Sequence, residues 1–125
     1  MSENKKRLPD SELEVMQALW DCPSPVQRAQ IEARMQETHP IAQTTLLTLL
    51  GRLAEKGFVE SRKEGRSSVY IPLVSREEYL ADQSRRFVDQ LCKGSVSMFA
   101  AALCDSGLSK EDIKELRELL KRGEL

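Results

Sequence analysis

Four leucines, Leu46, Leu49, Leu50 and Leu53, share one face of a helix drawn from about Ala42 to Lys56, and Gly57 stops that helix just ahead of two runs of β-formers. Thr44, Thr48, Gly51, Arg52 and Glu55 fall on the other face at 100° per residue, with Leu47 at the border. The leucine stripe needs other helices to cover it. Small hydroxyl side chains on the outward N-terminal turns let a backbone come close to a partner, and suit a helix that enters the major groove of DNA. Such a helix can also bind a phosphate at its N-terminus.

The segments around it supply the cover. Asp10 or Ser11 can cap a first helix with Leu13, Met16, Leu19 and Trp20 on one stripe. Ser24 followed by Pro25 predicts the start of a second helix that runs to about Gln36, with Val26, Ile31 and Met35 as its apolar points. After Gly57, Phe58 to Arg62 and Ser68 to Leu73 read as short strands around a charged turn, Lys63-Glu64-Gly65-Arg66-Ser67. Three helices and then a charged hairpin is the order of a winged helix-turn-helix, a mainly α fold with a small β-hairpin wing. It occupies residues 1–74.

Beyond Leu73 the character changes. Ser75 and Glu78 form a capping box for a long helix to about Lys93. Gly94 breaks it, a short apolar helix covers Val96 to Asp105, and Ser109 with Asp112 caps a last helix. Phe87, Leu91, Val96, Phe99, Leu103, Ile113, Leu116 and Leu120 give these elements more apolar surface than a small satellite can bury. The economical cover is the same stretch of a second chain, so residues 75–125 are expected to form a helical dimerisation domain with C2 symmetry. Two reading helices would then meet a palindromic site about one helical turn, or a multiple of it, apart.

Composition narrows the function. A chain of 125 residues and 14.2 kDa supports one core and excludes a large multi-domain enzyme. Net charge is −1, so affinity for nucleic acid must rest on a local patch. From Ala42 to Val74 five basic residues (Arg52, Lys56, Arg62, Lys63, Arg66) face three acidic ones (Glu55, Glu60, Glu64). Arg62, Lys63, Arg66 and Ser67 are placed to contact the phosphate backbone, with Thr44, Thr45, Leu47, Thr48 and Arg52 at the groove and Gln43 near the first phosphate. The longest apolar run, Met98 to Cys104, is seven residues, and Met1 to Arg7 has no apolar stretch behind it, so a cytoplasmic chain is expected. Cys22, Cys92 and Cys104 are too far apart for a zinc knuckle or a disulfide framework. His39 has no catalytic partner in view and no nucleophile elbow, P-loop or HExxH pattern occurs, so neither catalysis, nor a metal, nor a cofactor is expected. Two other readings of the same residues are a protein-interaction adaptor and a winged regulator that binds a small ligand directly.

Leu8-Pro9-Asp10-Ser11-Glu12-Leu13-Glu14-Val15-Met16 with Leu19-Trp20 resembles the opening helix of the BlaI/MecI/CopY family of bacterial repressors. Thr45, Thr48, Leu49, Arg52 and Leu53, then Lys56-Gly57-Phe58-Val59, look like that family's recognition helix and its exit into the wing. Leu108-Ser109 through Glu115-Leu116 to Leu120 is similar to its last helix. The resemblance implies a homodimeric repressor on a dyad operator of TACA/TGTA type, in an antibiotic- or copper-response operon. It also implies dimerisation by interlocked C-terminal helices, released when a membrane sensor protease system triggers cleavage. Three departures stand out. The tail Lys121-Arg122-Gly123-Glu124-Leu125 lacks the CxC of copper-responsive members. Ala101-Ala102 stands where β-lactam-responsive members have the cleaved Asn-Phe bond, and Leu47 stands where relatives can carry a basic residue.

Overall fold

A computed structural model describes residues 7–122, so most of the polar N-terminal segment and the last three residues of the tail lie outside the described residues. Helix α1 (Asp10–Trp20) is followed by a two-residue strand β1 (Val26–Gln27), α2 (Arg28–Thr38) and α3 (Gln43–Glu55). Strands β2 (Val59–Glu64) and β3 (Ser67–Pro72) come next, then α4 (Arg76–Arg86), a π-helical turn (Phe87–Leu91), α5 (Val96–Asp105) and α6 (Lys110–Arg122). The sheet is antiparallel in the order β1-β3-β2. The chain divides into two compact units between Gln83 and Ser84, inside α4.

In the first unit the core forms where the leucine stripe meets α1 and α2. Leu46, Leu49, Leu50 and Leu53 are buried with Val15, Met16, Leu19, Ile31, Met35, Phe58 and Val59. Aromatic contacts bind the start of α4 to this core: Tyr79 lies 5.8 Å from Phe58 and 5.9 Å from Trp20, ring centre to ring centre. The Leu8 N–H donates to the Tyr79 hydroxyl at 2.9 Å, and the Trp20 indole N–H donates to the Val74 carbonyl at the same distance.

Two local expectations change. Residues 25–27 do not begin the second helix. Val26 pairs with Tyr70 and Gln27 with Val69, so fully buried, β-branched Val26 serves as a third strand. The helix start moves to Gln27 and Gln30, whose side chains cap each other's backbone in a capping box. The wing turn also shortens from five residues to two. Glu64 pairs with Ser67, and Gly65 at φ 64° holds the first turn position that a type II′ hairpin gives to glycine. Lys63 thereby becomes a strand residue opposite Ser68, and Arg66 stays at the tip.

Glu12 is the one buried charged residue among those described, at 3% exposure, and the half-exposed Lys56 ammonium pairs with it. Lys56→Met leaves that carboxylate without its cation. The expected cost is about 2 kcal/mol, read as a lower urea midpoint at unchanged slope. Asp21, at the end of α1, accepts from Arg76 at 2.8 Å and from Arg34 at 3.0 Å. These bonds, Arg76 first, hold its carboxyl below the ordinary aspartate range. Its pairs therefore add stability above the unfolded value of about 3.9, and that stability is lost as pH falls through the lower folded value. Asp21→Asn should lower the urea midpoint at pH 7, with the gap to wild type closing as pH falls through the lowered folded value.

The long predicted helix runs as an α-helix to Arg86 and continues in the second unit as a π-helical turn to Leu91. After Arg86 the ladder widens to i→i−5, with the Cys92 N–H on the Phe87 carbonyl at 3.2 Å. Lys93 at φ 53° and Gly94 at φ 80° then turn the chain in the left-handed region. The Ser75/Glu78 and Ser109/Asp112 capping boxes form as the spacing predicts. Phe87 and Phe99 meet edge to face at 5.7 Å. Yet among the described residues of this unit only Cys92 is buried.

Candidate nucleic-acid interface

The outward face of α3 carries what the sequence predicts for it. Gln43, Thr44, Thr45, Leu47, Thr48 and Arg52 are all exposed. Ala42, the N-cap of α3, has no side-chain oxygen, so no cap competes with an incoming anion for the first-turn N–H groups. The Thr48 hydroxyl donates to the Thr44 carbonyl at 3.0 Å, which occupies its hydrogen and leaves its lone pairs and methyl for a partner.

Wing and helix meet at one place. A concavity of about 230 Å³ is lined by Leu47 of α3, Arg66, Ser67, Ser68 and Tyr70 of the wing, and Gln27, Arg28 and Ala29 at the start of α2. Of the expected contact residues this brings Leu47, Arg66 and Ser67 together. Thr44, Thr45, Thr48 and Arg52 lie along the helix outside it, and Arg62 and Lys63 lie on β2. Beyond Val59, every residue of β2 is exposed, as in a hairpin that projects from its core.

Charge pairing separates the cations of this unit. Among described residues 7–83 there are nine Lys and Arg. Arg7, Arg28, Arg34, Lys56, Arg62 and Arg76 each have a carboxylate within 4.0 Å, which leaves Arg52, Lys63 and Arg66. Those three are all in the predicted contact set. Arg62 is also in that set but sits 3.5 Å from Glu60, which partly compensates it. A cation left without an internal counter-charge on one face raises the potential there, and a polyanion is the partner that profits.

Sequence reasoning missed Arg28. It begins α2, lies 3.0 Å from Glu32 Oε1, and its two terminal nitrogens reach the Gln43 carboxamide oxygen at 3.0 and 3.2 Å in the amide orientation that satisfies both groups. No periodicity marks it, since the second helix was expected to be under way by residue 28.

In the second unit α5 and α6 line an apolar groove of about 200 Å³ with Ala100, Leu103, Cys104, Leu108, Ile113, Leu116, Arg117 and Leu120. Val96 is 73% exposed, Leu91 68% and Leu120 60%, and Phe87 also faces solvent. Phe99 is half-buried, and Ala101 and Ala102 are exposed in the middle of α5. Among the described residues no three His, Cys, Asp or Glu gather closely enough to hold a metal ion, and no helix is long and apolar enough to cross a membrane.

Three helices, a three-stranded sheet and a projecting hairpin define a winged helix-turn-helix, here followed by a helical second unit. The chain belongs to the penicillinase repressor family, whose model matches residues 8–122. It is 32% identical over 120 residues to the penicillinase repressor of Bacillus licheniformis, covering 93% of each chain. It is also 25% identical over 123 residues to the methicillin resistance regulatory protein MecI of Mammaliicoccus sciuri, covering 98% of this chain and 99% of that one. Among solved structures it is similar to the DNA-binding domain of the repressor BlaI, with a TM-score of 0.52 and 32% identity over 63% of this chain and 94% of that one. It is similar too to the monomeric form of B. licheniformis BlaI in complex with the blaP half-operator, with a TM-score of 0.50 and 32% identity over 60% of this chain and 90% of that one.

Proposed function

We propose that this chain is a homodimeric transcriptional repressor that binds a palindromic operator. In this reading α3 enters the major groove with Thr44, Thr45 and Thr48 at base edges, Leu47 toward thymine methyls and Arg52 on a phosphate at the groove wall. Arg62, Lys63, Arg66 and Ser67 of the wing hold the phosphate backbone and supply affinity rather than sequence information. The observation that carries this is the charge pattern: among the described residues of the first unit, the three cations without an ion pair are Arg52, Lys63 and Arg66. The BlaI structure on a half-operator supports it by analogy.

Dimerisation is supported by what the second unit fails to bury. Helices α5 and α6 expose an apolar groove and a row of large side chains, and a second copy of the same surface is the partner that covers both at once. Derepression follows by linkage: cleavage near Ala101-Ala102, through a membrane sensor protease system, or any loosening of α5 and α6 lowers operator occupancy without touching the reading helix. Sedimentation equilibrium and titration of a dyad and a half-site duplex test this together. A dimer at micromolar concentration with tighter, steeper binding to the dyad supports the proposal. A monomer that binds both duplexes alike refutes it.

A further inference from the structure

The Arg28–Gln43 contact adds a specificity device, and this inference rests on the DNA-binding reading above. Gln43 is the first residue of α3, where side chains of a recognition helix reach base edges. A free glutamine offers a carbonyl acceptor and two N–H donors, and with both it can pair bidentately with adenine. In the amide orientation that satisfies both groups, the carbonyl oxygen accepts twice, from both terminal nitrogens of Arg28. The guanidinium is also ion-paired, with its Nε 3.0 Å from Glu32 Oε1 one turn along α2, though without hydrogen-bond geometry. With its oxygen engaged in this way, the carboxamide has only its two N–H donors left to offer a partner.

We propose that Arg28 is a positioning residue that makes Gln43 a donor-only reader, selecting a base whose major-groove edge presents acceptors alone. Guanine, with N7 and O6, meets that demand, and thymine does so through O4; adenine presents one acceptor beside a donor, and cytosine a donor. Arginine suits the task because its fork meets one oxygen with two nitrogens while Nε stays with Glu32.

The test uses the full chain and a TACA/TGTA dyad duplex in which each half-site position is replaced in turn by the other three bases. Wild type should prefer guanine or thymine at one position per half-site, about fivefold per half-site for one well-made hydrogen bond. Arg28→Ala should flatten that preference to within about twofold while leaving the other positions ranked as before. Arg28→Lys, which can still donate to the carboxamide, should restore part of it. Gln43→Ala should erase it, and the double variant should add nothing further. A merely structural Arg28 would weaken all duplexes alike and leave the base ranking intact, and that result overturns the proposal. So does a wild-type preference for adenine at the position that Gln43→Ala relaxes. Failure of the wild-type chain to distinguish any duplex overturns the DNA-binding reading itself.

Discussion

Simultaneous replacement of Arg52, Lys63 and Arg66 by alanine should lower affinity for a dyad duplex by about 10⁴-fold at 0.15 M salt, if each cation meets one phosphate. The magnitude follows from counterion release. Each neutralised phosphate contributes about 0.9 to the slope of log K against log salt, hence about fivefold at 0.15 M, and a dimer carries six such contacts. The same variant should lower that slope by about 5. Because the three residues are exposed and have no ion pair among the described residues, their loss should leave the urea midpoint unchanged. Arg34→Ala is the natural control. That guanidinium is engaged with Asp21, so its loss should cost some stability and leave the salt slope alone. Arg62→Ala should fall between, because Glu60 already compensates part of its charge.

The second large effect is expected in the C-terminal unit. Leu120→Glu should weaken the dimer by about 100-fold or more, since a carboxylate buried without a partner at an interface costs about 2–5 kcal/mol. In the single chain Leu120 is 60% exposed, so the substitution should hardly disturb α6 itself, which circular dichroism would confirm by unchanged helix content. Ile113 and Leu116 are half-buried, so replacing them mixes folding with assembly and gives a less clean experiment. Loss of the dimer should in turn lower dyad affinity while half-site affinity stays the same. Sedimentation velocity on the variant, beside titrations of both duplexes, reads each part of this prediction.

What could be read from the chain and what could not follows from the range of each interaction. The leucine stripe of α3, the glycine of the wing turn and the two Ser-x-x-acid capping boxes are periodic or local signals, and all four form as expected. Strand β1 is two residues long and has no period to detect, so Ser24-Pro25 looked like a helix start. The pairing of Glu12 with Lys56 spans 44 residues, and nothing in the neighbourhood of Glu12 marks it as buried. Arg28 escaped for the same reason, since its value lies in facing Gln43 across a turn. The wing cations were visible as residues, but which of them lack an ion pair is a three-dimensional fact. It divides Arg62 from Lys63 and Arg66, which look equivalent in a string.

In the proposed repressor the α3 face and the wing form one DNA-reading surface. Fluorescence anisotropy with a labelled TACA/TGTA dyad duplex and a scrambled duplex of equal length, repeated from 0.05 to about 0.3 M salt, tests it most directly. Tight binding to the dyad is expected, with a preference over scrambled DNA of at least about 10³-fold and a steep salt dependence on both duplexes. Equal, salt-insensitive binding to the two duplexes, or none to either, would contradict it.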